Sequence, residues 1–282
     1  MEILKNRMIL IRKRVLLILF FSFFTTCVIS QDNIDFLKKV KTYQDSVKIK
    51  RPKQFPNLID TSTFSISKYL QIFDKLNFPP DLECHYIFID EETAGGPALY
   101  VDKDSLEMES YLERKFREFI KQNNIAKNKI TQEFIDLKKY DILCGFASSN
   151  NARKYILPND NETGYLQYLF FNQFGEYFAL KWHANHGQKS VIFSNDEMNR
   201  LYNYYLGTDL FTCDMRQFEK LLNLNPSPII KMKKNSCLIT WYEIATHRGI
   251  YKRSYEISRS APYAIEKKED IEILKINTEF IY

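Results

Sequence analysis

The stretch GYLQYLFFNQFGEYFALKWHANHGQKSVIFSNDEMNRLYNYY, residues 164–205, decides how the chain is read. Three short aromatic-rich segments, Tyr165–Asn172, Glu176–Ala184 and Lys189–Phe193, are separated by Gln173-Phe174-Gly175 and Asn185-His186-Gly187. Each separator ends in glycine, as a three-residue hairpin loop does when its last residue sits at positive φ. In the middle segment Phe178, Leu180, Trp182 and Ala184 alternate with Tyr177, Ala179, Lys181 and His183, the period of a strand with one face on a core. Three antiparallel strands are therefore expected. A helix follows, opened by Ser194 and Glu197 as a capping box and carrying Met198, Leu201, Tyr202 and Tyr205.

Downstream, Met215, Phe218, Leu221 and Leu222 mark a further helix, ended by Asn225-Pro226-Ser227-Pro228. Strands are expected at Cys237–Thr246 and Ile250–Ser258, joined through His247-Arg248-Gly249, with a last one at Ile271–Ile276. Upstream, a helix over Ser65–Leu76 puts Ile66, Tyr69, Leu70, Phe73 and Leu76 on one face and stops at Phe78-Pro79-Pro80. Cys84–Asp90 and Ala98–Asp102 read as a hairpin, Asp104 with Glu107 as the box opening a second helix, and Thr131–Tyr140 as a third helix. Asp141–Phe146 reads as a strand and Ala147–Asn151 as a loop. The elements add up to a single α+β domain over residues 59–282, an antiparallel sheet of hairpins with helices inserted between them.

Residues 1–30 differ in kind. Lys5, Arg7, Arg12, Lys13 and Arg14 precede an uncharged apolar run from Val15 to Ile29, and Val28-Ile29-Ser30 sets small or β-branched residues before Gln31. That is the pattern of a secretory signal peptide, and it implies an exported protein, periplasmic or extracellular. An apolar run of about 15 residues is shorter than the ~20 a bilayer-spanning helix needs, so a membrane role follows only if the segment stays uncleaved. Cys27 does not make a lipobox, because Thr26 stands where Gly, Ala or Ser is wanted. Residues 31–58 read as a polar, basic, exposed arm in which Ile34, Phe36, Leu37 and Val40 seed at most a short helix.

Export changes the charge reading. The full chain has 40 basic and 35 acidic side chains; setting aside residues 1–30, with five basic groups and Glu2, leaves 35 and 34. The basic balance belongs to the targeting segment, and no field remains to attract nucleic acid.

Few residues offer chemistry. His183 and His186 form the first candidate metal pair, but the helical His-Glu-x-x-His arrangement is missing, and a third ligand with it. Cys84 and His85 are adjacent on a strand and point to opposite faces, so they form no dyad. Cys213 precedes Asp214 at a helix start, where a thiol pKa falls. Cys144, His183 and Asp196 have a cysteine-hydrolase order, but Gly145-Phe146-Ala147-Ser148-Ser149-Asn150 forms helix poorly. Asp90, Glu91 and Glu92 beside Gly95-Gly96 lack the spacing of a calcium loop. Asn161-Glu162-Thr163 is a glycosylation acceptor in a eukaryotic host and a turn otherwise. There is no Gly-x-Ser-x-Gly, no Gly-x-Gly-x-x-Gly and no P-loop, and no cofactor is implied. The pairing of Cys84, Cys144, Cys213 and Cys237 is open among three possibilities, with buried free thiols as the fourth.

The sequence therefore points to an exported binding or interaction protein without catalytic activity, taking a protein or small-molecule ligand on the open face of its sheet, with Tyr177, Lys181 and His183 as candidate contacts. The alternative is a small extracytoplasmic hydrolase using His183 and His186 on a metal, or a Cys/His pair. That alternative requires His183, His186, His247, Cys213 and a carboxylate to converge within about 3–4 Å in a concave site.

Overall fold

Two strands that alternate apolar residues with polar ones, β8 (Ser236–Ala245) and β9 (Gly249–Ser258), pair along their whole length at the centre of the sheet. The structure is a computed structural model that describes residues 31–47, 65–89, 96–102, 105–176, 189–207, 211–245 and 248–278. The turn between β8 and β9 closes on Gly249, whose φ of 153° suits glycine; a Cβ there would lie 2.2 Å from the Leu274 carbonyl oxygen.

On the far side of β9 runs β10 (Ile265–Thr278), whose end pairs with β6 (Phe211–Cys213). The other edge of β8 is shared by β5 (Lys189–Ile192) at one end and β7 (Ile229–Met232) at the other. All these pairs are antiparallel, so the sheet has six strands. Two small antiparallel pairs lie outside it: β1 (Leu76–Asn77) with β4 (Leu157–Pro158), and the hairpin of β2 (Glu83–Ile89) and β3 (Gly96–Asp102). Helices separate the strands: residues 31–46 (α1), Ile66–Leu70 (α2), Ser105–Gln122 (α3), Gln132–Ser149 (α4), Glu162–Phe174 (α5), Asn195–Leu206 (α6) and Met215–Leu221 (α7). The fold is α+β, with an antiparallel sheet and helices between its hairpins, as expected. Among the described residues no helix is long and apolar enough to cross a membrane.

The alternation of β8 divides the packing. Cys237, Ile239 and Trp241 face α5, joining Tyr165, Leu166, Leu169, Phe170, Phe171 and Phe174 in the main core. Ile244, on the opposite face, joins Ile250, Leu274 and Ile276 beneath α6 and α7. A third cluster sets the β2–β3 hairpin on α4 through Ile87, Ala98, Tyr100 and Ala147. Burying a large aromatic or aliphatic side chain contributes roughly 1.5–3 kcal/mol, so α5, with nine buried residues, anchors the domain.

Three expectations are corrected. Residues 165–172 are not a strand but the body of α5. The Asn161 side chain accepts the Gly164 amide at 2.7 Å and caps the helix, and Gly175 ends it at φ −58°, not in a left-handed turn. Residues 141–149 are neither strand nor loop: α4, capped by Thr131, runs through them, and Ser148 and Ser149 donate to the Cys144 and Gly145 carbonyls at 3.0 Å. The exposed arm is not exposed over residues 31–47. Phe36, Leu37, Val40 and Val47 are buried in the main core, where Phe36 meets Phe73 and Phe170 edge to face.

The α2 helix is also shorter than Ser65–Leu76, because turns carry the chain from Gln71 onward and hand Leu76 to β1. The signal segment 1–30, the Asp90–Glu92 loop and the expected strand and turn over 177–188 lie outside the described residues.

Candidate functional site

One face of α1 brings Leu37, Lys41, Gln44 and Asp45 to a common cavity, since residues three, four and seven apart stack on a helix surface. The i, i+4 pair Phe170 and Phe174 of α5, with ring centroids 5.3 Å apart, forms its floor. Lys189, Ser190 and Val191 of β5, with Phe193, make one wall; Glu197, Leu201, Tyr204 and Tyr205 of α6 make the other, and Ile244 of β8 closes it. The cavity is partly open to solvent, and its volume is about 270 Å³.

The carboxylate in this cavity is placed by the start of α6. Ser194 caps the helix by accepting the Glu197 amide at 3.3 Å, and Glu197 Oε2 accepts the Phe193 amide at 3.0 Å. The expected capping box is present, with the returning carboxylate one residue before the cap. Glu197 is only 7% exposed. Its other oxygen, Oε1, stands 4.0 Å from Lys41 Nζ, which also leans 3.6 Å from Asp45 Oδ1. Burial pushes the Glu197 carboxyl above the usual carboxylate range, against the Phe193 amide and the Lys41 and Arg200 charges that favour ionisation.

A second group of charges lies on the inner face of the sheet. Glu243, 1% exposed, accepts from Trp241 Nε1 at 2.8 Å and from the Tyr255 hydroxyl at 2.9 Å, and pairs with Arg253. Arg253 also donates to Asp270 at 2.8 Å and lies 4.9 Å over the Tyr251 ring. Every polar group there has its partner, as a structural network requires.

The outer face of the sheet is half covered. Towards Ile244 it is sealed by α6 and α7; towards Leu238 it carries Thr240, Tyr242, Lys252 and Ser254, with Ile229 55% and Ile271 47% exposed. The Thr240 and Ser254 hydroxyls are 2.8 Å apart and Ser254 donates to Glu269 at 2.8 Å, so its polar groups are largely satisfied within the sheet.

Tyr177, Lys181, His183 and His186, the contacts and metal ligands expected from sequence, lie outside the described residues, as does His247. Among the described residues no three His, Cys, Asp or Glu side chains are arranged to hold a metal ion. Cys84, Cys144, Cys213 and Cys237 are free thiols. Burial pushes Cys84 and Cys237 up to about 12 and raises Cys144 and Cys213 above the ordinary thiol value, the reverse of nucleophile activation.

Cys213 lies in β6, and its thiol donates to the Met215 sulfur at 3.4 Å. Cys144 sits inside α4, against the hairpin cluster. Cys84 and His85 do point to opposite faces, Cys84 to the main core and His85 to Tyr100, with ring centroids 5.5 Å apart.

No signal in the sequence joins Lys41 to Lys189 and Glu197, because Lys41 lies about 150 residues before the other two. For Glu243 a signal was present: it continues the buried series Cys237, Ile239, Trp241, where a charge needs a partner. No protein-family model, no curated protein and no solved structure matches the chain.

Proposed function

We propose that this is an exported binding protein, periplasmic or extracellular and without catalytic activity, that holds a small ligand in the cavity between α1, α5, β5 and α6. The observation that carries the reading is the lining of that cavity: aromatic and aliphatic walls with a few charged groups, among them the nearly buried Glu197 carboxylate. Binding sites for small molecules have this composition, mostly apolar with a few convergent polar groups. Export is supported by the basic and apolar runs of residues 1–30. The outer sheet face, flatter and already hydrogen-bonded to itself, serves a ligand less well. The hydrolase alternative rests on His183, His186 and His247, which lie outside the described residues.

A thermal-shift screen tests the reading with a panel of amino acids, sugars, organic acids and amines, on the purified protein and on Gln44→Trp. Gln44 is half-buried at the cavity wall and belongs to no core cluster, so an indole there is expected to occupy the space a ligand would take. A compound that raises the melting temperature of the wild type but not of Gln44→Trp supports the reading. Equal shifts in both proteins, or none with any compound, overturn it.

A further inference from the structure

The charges that line the cavity are two of each sign, Lys41 and Lys189 against Asp45 and Glu197. They are not paired off evenly. Lys41 is shared between Asp45 at 3.6 Å and Glu197 at 4.0 Å, whereas Lys189 makes no ion pair among the described residues. Glu197 uses Oε2 for the Phe193 amide, and its Oε1 accepts no hydrogen bond among the described residues. The cavity thus presents an acceptor on one wall and an ammonium on the other, above a floor of two phenyl rings. A ligand of net charge would leave one of these groups uncompensated in a partly dry site, which is costly. A dipolar ligand answers both.

From this arrangement we propose that the cavity takes a small zwitterion, an α-amino acid with a bulky apolar side chain. Its ammonium group donates to Glu197 Oε1, its carboxylate meets Lys189, and its side chain packs on Phe170 and Phe174. The inference rests on the cavity being a ligand site and names the ligand class. The volume of about 270 Å³ falls just below that of cavities for drug-sized molecules, roughly 300 to 1,000 Å³, and so favours a single amino acid over a peptide. Aromatic walls suit an apolar side chain and also attract the ammonium group.

Titration calorimetry with three probes of one shape tests this: phenylalanine, phenethylamine, which lacks the carboxylate, and 3-phenylpropionate, which lacks the amine. Phenylalanine is expected to bind at least tenfold more tightly than either. Glu197→Gln, whose amide oxygen still accepts the Phe193 amide, is expected to weaken phenylalanine and phenethylamine about tenfold and leave 3-phenylpropionate unchanged. Lys189→Gln is expected to do the converse.

A single-charge probe that binds as tightly as phenylalanine overturns the zwitterion, and so does the failure of all three to bind. If phenylalanine fails while the thermal-shift panel yields another ligand that Gln44→Trp excludes, the zwitterion falls and the ligand site stands. If the panel yields nothing either, both fall.

Discussion

Glu197 Oε1 lies 4.0 Å from Lys41 Nζ, near enough to attract and too far to hydrogen-bond. The contact joins α6 to α1, two helices on either side of the cavity, and leaves the carboxylate oxygen open to a better donor. The second oxygen is committed to the buried Phe193 amide, a structural role, to which the proposed ligand site adds one in recognition.

Those two roles separate by substitution. Glu197→Ala leaves the Phe193 amide without an acceptor and is expected to cost about 1–2 kcal/mol in urea denaturation, the usual loss for a cap or a buried unsatisfied donor. Glu197→Gln keeps an acceptor and is expected to cost clearly less. Equal losses in the two variants would show that the cap plays no part.

Arg253 compensates the Glu243 carboxylate inside the sheet. Arg253→Met is expected to destabilise the protein by about 3–5 kcal/mol, because it strands a buried charge. Combining it with Glu243→Gln is expected to recover part of that loss, since the stranded charge goes with it. Denaturation midpoints of the two single variants and the double give the comparison, and strictly additive losses would contradict the pairing.

Glu256 has its carboxyl held down to about 2 by Lys233, with Ser236 and Lys268 adding to the effect. A carboxyl depressed in the folded state binds fewer protons there than in the unfolded chain. Its contribution is therefore present above the ordinary value of 4.5 and is lost as pH falls towards about 2. Glu256→Gln is expected to lower the melting temperature near neutrality and to flatten its decline over that window, so that the two curves converge at low pH. The group is exposed, so added salt is expected to shrink the difference.

The export reading makes its own prediction. Intact-mass analysis of the chain recovered outside the cytoplasm of an expressing host is expected to show a start at Gln31. A chain retaining residues 1–30 in the membrane fraction would instead favour a tethered protein.

What the sequence made legible was whatever had one wet face and one dry face. Cys237 to Ala245 and Ile250 to Ser258 alternate, and both became strands; Ser194 with Glu197 announced α6. Residues 164–171 gave no such contrast, because every one of them is buried and neither period is visible. Only length and the Asn161 cap separated helix from strand there.

Along 265–272 the opposite happened. The edge of β10 carries Glu266, Lys267, Lys268, Glu269, Asp270 and Glu272, with register shifts between Lys267 and Glu269 and between Glu272 and Leu274. That is how an open sheet edge is kept from pairing with another chain, and it hides a strand behind charge. The cavity was illegible for a further reason: Lys41 and Lys189 carry no local signal, and Lys41 reaches Glu197 only through the packing of α1 beside α6.

A crystal structure of the protein with the compound that stabilises it most in the thermal-shift screen tests the central claim most directly. The account predicts ligand density over Phe170 and Phe174, with a polar contact to Glu197 Oε1. Density on the outer sheet face, around Leu238 and Tyr242, with the cavity unchanged, would contradict it.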